Sequence, residues 1–256
     1  MASTHIEVTG LTGLPEIAPG DELTPLILEA CRRDDLELVD GDIVVITQKI
    51  VSKAEGCIES LSDVDPSSIA NTFARESSKD PRLVELALRE ARRIVRMDRG
   101  VLITQTRHGF VCANSGVDAS NVGSPDAATT LPHEPDRSAE RLRRELQDAT
   151  GARIAVIISD TFGRPWREGV VNVAIGIAGL NPVNDYRGRS DADGRSLAST
   201  VIAVADELAG AAELVMGKLD RIPAAVVRGY SYTSPEHGRD HGGDSLVRDE
   251  AHDLFR

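Results

Sequence analysis

Aromatic residues make up only 3% of this 256-residue chain, too few for a platform on which nucleic-acid bases stack. Its three cysteines, Cys31, Cys57 and Cys112, stand far apart with no Cys-x-x-Cys pair. Neither a zinc knuckle nor a disulfide framework is suggested, and a reducing cytoplasm fits. No apolar run approaches the roughly 18 residues of a membrane span, and no basic N-terminal segment precedes an apolar core. The expectation is a soluble, unexported, cytoplasmic protein. Positive charge is also short: 29 Lys and Arg against 41 Asp and Glu leave a net charge of -12. A general nucleic-acid surface or an anionic membrane is therefore excluded as a partner. An anionic substrate would need local Arg and Lys to override the global field. No internal repeat is visible, and the length allows one large domain or two small lobes around a substantial core.

What is present centres on Ile154 to Ala178, IAVIISDTFGRPWREGVVNVAIGIA. Ile154 to Ser159 is dominated by β-branched and apolar residues, the pattern of a strand buried on both faces. Asp160 and Thr161 follow it, then a turn through Phe162 and Gly163, then Arg164 and Arg167, and a second apolar run from Val170 to Ile177. A carboxylate and a hydroxyl at a strand end, with two guanidinium forks beyond, suit a metal-bound polyphosphate: oxygens for a hard cation, planar donors for phosphate. A lone Asp-Thr pair is more often only a turn cap.

Ile6 to Thr9 reads as a strand with a bend at Gly13, Leu14 and Pro15, and Asp21 to Arg33 as a helix with Asp21 as N-cap. Asp42 to Thr47 is a strand. It runs into Gln48 to Gly56, a polar turn or short helix whose Lys49 and Lys53 could meet a phosphate; Lys49 reads rather as part of a solvated helix face. Pro66 to Val95 reads as helical, broken at Lys79-Asp80-Pro81, because proline suits a first helical turn and not a helix interior. Val101 to Thr106 and Phe110 to Ala113 form a hairpin with His108 exposed at its turn. Asn114 to Gly123 is small, polar and glycine-containing, so its backbone can approach a ligand, and Asp118 in it is a second carboxylate. Pro125 to Pro135 reads as loop, Ser138 to Thr150 as a helix stopped by Gly151, Asn181 to Gly194 as loop and Ser196 to Met216 as a long helix with an apolar core stripe. Gly217 to Pro223 connects to a last strand, Ala224 to Arg228, before a tail loop and a short terminal helix. Strands and helices alternate irregularly, with a hairpin and long crossovers. The expected class is α+β, with mixed, partly antiparallel sheets and outer helices.

Several nucleotide and metal motifs fail. Gly210 to Lys218 has too many residues between its glycines for a Walker A loop, and Leu219 stands where Ser or Thr is required. Asp160-Thr161-Phe162-Gly163 is neither the Asp-Thr-Gly of aspartic proteases nor a haloacid-dehalogenase start. His237 and His241 are four apart, but Gly238, Gly242 and Gly243 make a zinc-binding helix there improbable.

Six segments stand in an order shared with one family: Gly13-Leu14-Pro15-Glu16-Ile17, Val51-Ser52-Lys53-Ala54-Glu55-Gly56, Gly116-Val117-Asp118-Ala119-Ser120-Asn121-Val122, Ser159-Asp160-Thr161-Phe162-Gly163-Arg164, Val204-Ala205-Asp206-Glu207 and Val226-Val227-Arg228-Gly229. Across essentially the whole chain the sequence resembles coenzyme F420:L-glutamate ligase, also called F420-0:gamma-glutamyl ligase. Each motif is weak alone; six in order are specific. Asp253-Leu254-Phe255 resembles the end of the ligase half of two-domain versions. The expectation is a single ligase domain over residues 1–256, with two lobes, and no flavin-reductase-like half.

The resemblance implies GTP as co-substrate and two divalent cations, Mg2+ or Mn2+, between carboxylates and its phosphates. Asp118 and Asp160 would hold one cation and Thr161 the other; whether a monovalent cation, K+, assists is left open. Leu14, Pro15, Glu16, Ile17, Gln48, Lys49, Lys53 and Asn121 would lie along the GTP site, with the connection Gly217 to Pro223, Lys218 included, closing over it. Arg164 and Arg167, on chemistry alone, are expected to clamp phosphate or a substrate carboxylate. The implied reaction joins L-glutamate to the lactyl carboxylate of the deazaflavin F420-0 through an acyl phosphate and then adds γ-linked glutamates. The implied assembly is an intertwined homodimer, and Tyr186 to Arg195 is a candidate deazaflavin loop. The same carboxylates would also serve a metal-dependent nucleotide phosphohydrolase or a regulatory nucleotide-binding module. Dependence of nucleotide turnover on both deazaflavin and glutamate separates the ligase from these two.

Overall fold

In chain order the first half forms β1 (Glu7–Gly10), α1 (Leu23–Arg33), β2 (Ile43–Thr47), α2 (Gln48–Ala54), β3 (Ile58–Ser60), α3 (Ser68–Ser77), α4 (Pro81–Arg89), β4 (Ala91–Asp98), β5 (Val101–Thr106), β6 (Val111–Ala113) and β7 (Ala127–Thr129). The second half adds α5 (Pro135–Thr150), β8 (Ala155–Gly163), β9 (Val170–Ala178), β10 (Asn184–Asp185), β11 (Val201–Ile202), α6 (Val204–Met216) and β12 (Ala224–Arg228). The computed structural model describes residues 4–234, 242–249, 251 and 253. His237, His241 and most of the expected terminal helix lie outside the described residues.

The apolar runs become a five-stranded sheet in the order β1-β12-β2-β8-β9. Only β2 and β8 run parallel; the other three pairings are antiparallel. Both faces of this sheet are covered, which is why its strands read as continuous apolar runs rather than alternating ones. Val44, Ile46, Val156, Ile158 and Val226 face a core completed by Ile27 of α1 and Leu142 and Leu146 of α5. Ile43, Val45, Ile157 and Val227 face the opposite core, where Ala205, Ala209 and Ala212 bring α6 close to the strands. Smaller sheets, β4-β5-β6, β3-β7 and β10-β11, stand apart from it. The first packs Leu102 against Phe73, Ala74, Val84 and Ala87 of α3 and α4. The class is α+β, as expected.

Several local expectations need correction. The second helix of the Pro66–Val95 region stops at Arg89, and Ala91–Asp98 is a strand paired with β5. Arg99 and Gly100 both take positive φ, the two-residue turn that closes a tight hairpin and overrides the charge pattern that looks helical. The helix placed at Ser196 begins only at Val204, since Val201 and Ile202 pair with Asp185 and Asn184. The region 181–194 is therefore not wholly loop. Asp21 does not cap α1: its carboxylate accepts from the Ala18 N–H (2.8 Å), and the helix starts after Glu22. The 125–135 loop contains β7, and α5 starts at Pro135, where the missing N–H costs nothing. His108 is half-buried rather than exposed, stacked on Phe110 with Nε2 3.0 Å from the His133 carbonyl oxygen.

Candidate active site

The parallel pairing of β2 with β8 ends where Thr47 stands opposite Ser159. Carboxyl ends of parallel strands are where open sheets leave a crevice for ligands. β8 does not end at Ser159, however. It continues through Asp160 and Thr161 to Gly163 as one arm of the β8–β9 hairpin, with a register break between Ile158 and Ser159. Such an irregularity re-aims the side chains that follow it.

A cleft of about 450 Å³ opens there. Leu14, Pro15, Glu16 and Ile17, just after β1, form one wall; Gln48, Lys49 and Lys53 of α2 form the next. Asp118 and Asn121 come from the loop after β6, Asp160 and Thr161 from β8, and Gly217 and Lys218 from the connection after α6. Asp118 is fixed by its main chain, which exchanges hydrogen bonds with Thr129 at 3.0 and 2.8 Å. The loop leading to it turns through Asn114, Ser115 and Gly116, all at positive φ. Ser115 anchors that turn by donating to the Ala87 carbonyl at 2.6 Å.

Lys49 is not solvated. Its Nζ lies 2.6 Å from Asp118 Oδ2 and donates to the Ser120 carbonyl and hydroxyl oxygens at 2.6 and 2.9 Å. Burial works against the Asp118 carboxylate, but the hydrogen bonds from Lys49 and Ser120 outweigh it and hold the carboxyl below its ordinary range. Asp160 is pushed the other way, up to about 7, first by burial and then by the charge of Asp118; its bond to the Thr161 N–H and the charges of Lys218 and Lys49 only partly offset this. Lys53, 4% exposed, pairs with Glu16 and donates to the Asn121 carbonyl.

The cleft also gathers Thr47, Ser159, Asn172 and Glu213, not singled out as site residues from sequence, and Arg221 of the connection expected to close over it. Asn172 had a visible signal, a polar amide inside the apolar run Val170–Ala178, and Glu213 likewise interrupts the apolar end of α6. Arg164 and Arg167 are not brought into the cleft wall. They lie on the turn between β8 and β9, where Arg164 donates back to the Glu168 carbonyl and Arg167 is exposed. Tyr186, stacked under Arg189 at 5.4 Å, lies outside the wall as well.

These donors fit a hard divalent cation. Two carboxylates that repel each other, one with its pKa forced upward, are relieved by positive charge between them. The buried Ser159 hydroxyl, 1% exposed, finds no hydrogen-bond partner among the described residues. No three His, Cys, Asp or Glu side chains converge among the described residues. A cation here would draw its remaining ligands from hydroxyls, water and phosphate, which is the habit of Mg2+ and Mn2+ rather than of structural zinc. Lys49, Lys53 and Lys218 line the same cleft, a local gathering of positive charge in an otherwise acidic chain.

Residues 12–229 match the family model described as F420-0:Gamma-glutamyl ligase. The chain is 50% identical over 253 residues to the coenzyme F420:L-glutamate ligase of Methanothermobacter thermautotrophicus, an alignment covering 98% of this chain and 99% of the relative. It is 46% identical over 245 residues to the protein of that name from Methanopyrus kandleri, covering 94% of each chain. It is 42% identical over 252 residues to that from Methanocaldococcus jannaschii, covering 98% and 97%.

Proposed function

Because this chain belongs to the F420-0:gamma-glutamyl ligase family, we propose that it uses GTP to join L-glutamate to the lactyl carboxylate of the deazaflavin F420-0, and then adds further γ-linked glutamates. The observation that carries the mechanistic reading is the meeting of Asp118, Asp160 and Thr161 with Lys49, Lys53 and Lys218 around one cleft. A carboxylate does not condense with an amine at neutral pH without activation. Attack of the deazaflavin carboxylate on the GTP γ-phosphate gives an acyl phosphate and GDP. The glutamate amine, having lost a proton, then displaces phosphate from that anhydride and forms the amide.

The scheme requires no protein nucleophile; it requires two anions to be held together and water kept off the anhydride. Asp118 and Asp160 would hold one divalent cation and Thr161 a second. When bound, such ions neutralise phosphate charge and polarise the transferred phosphoryl group. Lys49 and Lys53 of α2, which line the cleft, would meet the phosphates, and Leu14 to Ile17 with the Gly217–Pro223 connection would flank the nucleotide. The same proposal includes a homodimer acting on small molecules in the cytoplasm. Among the described residues no helix is long and apolar enough to cross a membrane.

Incubation of F420-0 with GTP, MnCl2 and L-glutamate, followed by mass spectrometry of the deazaflavin, tests the reaction. A ladder of glutamyl additions with the wild type and none with Asp160→Ala is expected. Unchanged deazaflavin with GTP nonetheless hydrolysed would replace the ligase by a phosphohydrolase. Lys53→Met is expected to raise the KM for GTP by about 10-fold to 100-fold, the loss of one charged hydrogen bond to phosphate. An unchanged KM in steady-state kinetics would remove Lys53 from the nucleotide site.

A further inference from the structure

Among the cleft side chains with no part in the chemistry proposed above are Asn172 and Glu213. Asn172 sits on β9 directly opposite Thr161 and is 3% exposed. An amide in such a place costs stability unless all its polar atoms are used. They are used. The Thr161 hydroxyl donates to Asn172 Oδ1 at 2.8 Å, and Asn172 Nδ2 donates to Glu213 Oε2 at 2.8 Å. Glu213 is itself misplaced by local rules. It lies in the last turn of α6, which holds no basic residue, and a carboxylate there opposes the helix dipole.

The chain of bonds can run in one direction only. An ionised carboxylate accepts and never donates, so Asn172 must turn its NH2 toward Glu213. Its carbonyl oxygen then faces Thr161, and the hydroxyl must spend its single proton on it. Among the described residues no donor then claims either lone pair of Thr161 Oγ1. Without the Glu213 carboxylate the amide could turn over and donate to Thr161 instead, occupying one of those lone pairs.

We propose that Asn172 and Glu213 are positioning residues: they commit the Thr161 proton to Asn172 and thereby keep the hydroxyl oxygen available to a divalent cation, without touching the cation themselves. This rests on the two-cation ligase reading above. Outer groups that orient a metal ligand change affinity by roughly 10-fold to 100-fold. The site that depends on Thr161 should feel this, and the site built on Asp118 and Asp160 should not.

The test is a titration of MnCl2 into the full chain with a non-hydrolysable GTP analogue present, free ion being read by electron paramagnetic resonance. Wild type should show two sites. Glu213→Leu should weaken one of them by about 10-fold to 100-fold, and Glu213→Gln, whose carbonyl still accepts from Asn172, should restore most of that loss. Thr161→Val should remove the same site, and adding Glu213→Leu to it should change nothing further. Asn172→Ala removes the amide rather than its anchor and is read in the same way, so a folding defect in one variant leaves the question answerable. Two intact sites in both Glu213→Leu and Asn172→Ala overturn the positioning role while leaving the ligase reading standing. So does a Glu213→Leu loss that adds in full to that of Thr161→Val. A wild type that binds no Mn2+ overturns both.

Discussion

Asp160→Asn is expected to lower ligase turnover by roughly 1,000-fold and, at the same time, to stabilise the metal-free protein above neutral pH. Both effects have one origin. Burial, with the charge of Asp118 added, lifts the Asp160 carboxyl from 3.8 to about 7. Between those values the folded protein holds a proton that the unfolded chain has released. Stability of the metal-free form therefore falls as pH rises toward 7, and the full penalty is present above it. Asparagine carries no charge to bury, so the variant escapes this loss. The gain should be on the order of 1–3 kcal/mol at pH 8, after allowance for partial solvent screening, and should vanish near pH 4. Thermal melts at the two pH values measure it. Addition of Mn2+ should stabilise the wild type at pH 8 and the variant far less. Equal melting temperatures for wild type and variant at pH 8 would mean that Asp160 is not held under electrostatic strain.

Arg228→Met is expected to destabilise the fold by roughly 2–4 kcal/mol. Arg228, the last residue of β12, sits beside the start of β2, where Asp42 is 0% exposed. Its guanidinium forks onto both oxygens of that carboxylate at 2.8 and 2.7 Å and also donates to the Glu37 carbonyl at 2.7 Å. With the arginine gone, the Asp42 carboxylate keeps, among the described residues, the bond from the Val39 N–H at 2.9 Å. A buried charge is then left without a counter-charge, and its desolvation is no longer offset. Urea unfolding should show a lower midpoint with an unchanged slope. Combining Asp42→Asn with Arg228→Met should recover part of the loss, because the stranded charge is removed as well. A double variant as unstable as Arg228→Met alone would assign the effect to lost packing of the arginine stem.

Much of the central sheet was legible because its strands are buried on both faces, so Ile43–Ile46, Ala155–Ile158 and Ala224–Val227 stand out as short apolar runs between polar neighbours. Asp118 and Asp160 were legible as carboxylates beside such runs. What local pattern could not supply was partnership across the chain. Lys49 resembles any lysine on a polar helix until Asp118, 69 positions later, comes within 2.6 Å. Ala91–Asp98 carries a charge pattern that suits a helix, and only pairing with β5 decides for a strand. Arg164 and Arg167 are near Asp160 in sequence, but a strand advances about 3.3 Å per residue, so continuation of β8 carries them onto the hairpin turn. Asn172 and Glu213 are intelligible only together with Thr161, and the three meet only after α6 has packed on β9.

The order of strands also governs how the protein is made. β8 and β9 are neighbours in sequence and can zip together as soon as both exist, whereas Glu7–Gly10 has no partner until Ala225–Arg228 has been synthesised. Closing so long a loop is slow, because its entropic cost falls before its contacts are gained. β1 can therefore join the sheet only late, although the segment that follows it, Thr12 to Ile17, is also tied to earlier chain, Thr12 to Asp34 and Glu16 to Lys53. A nascent chain would carry Asp118, Asp160 and Thr161 before it owned the wall that Gly217 and Lys218 supply.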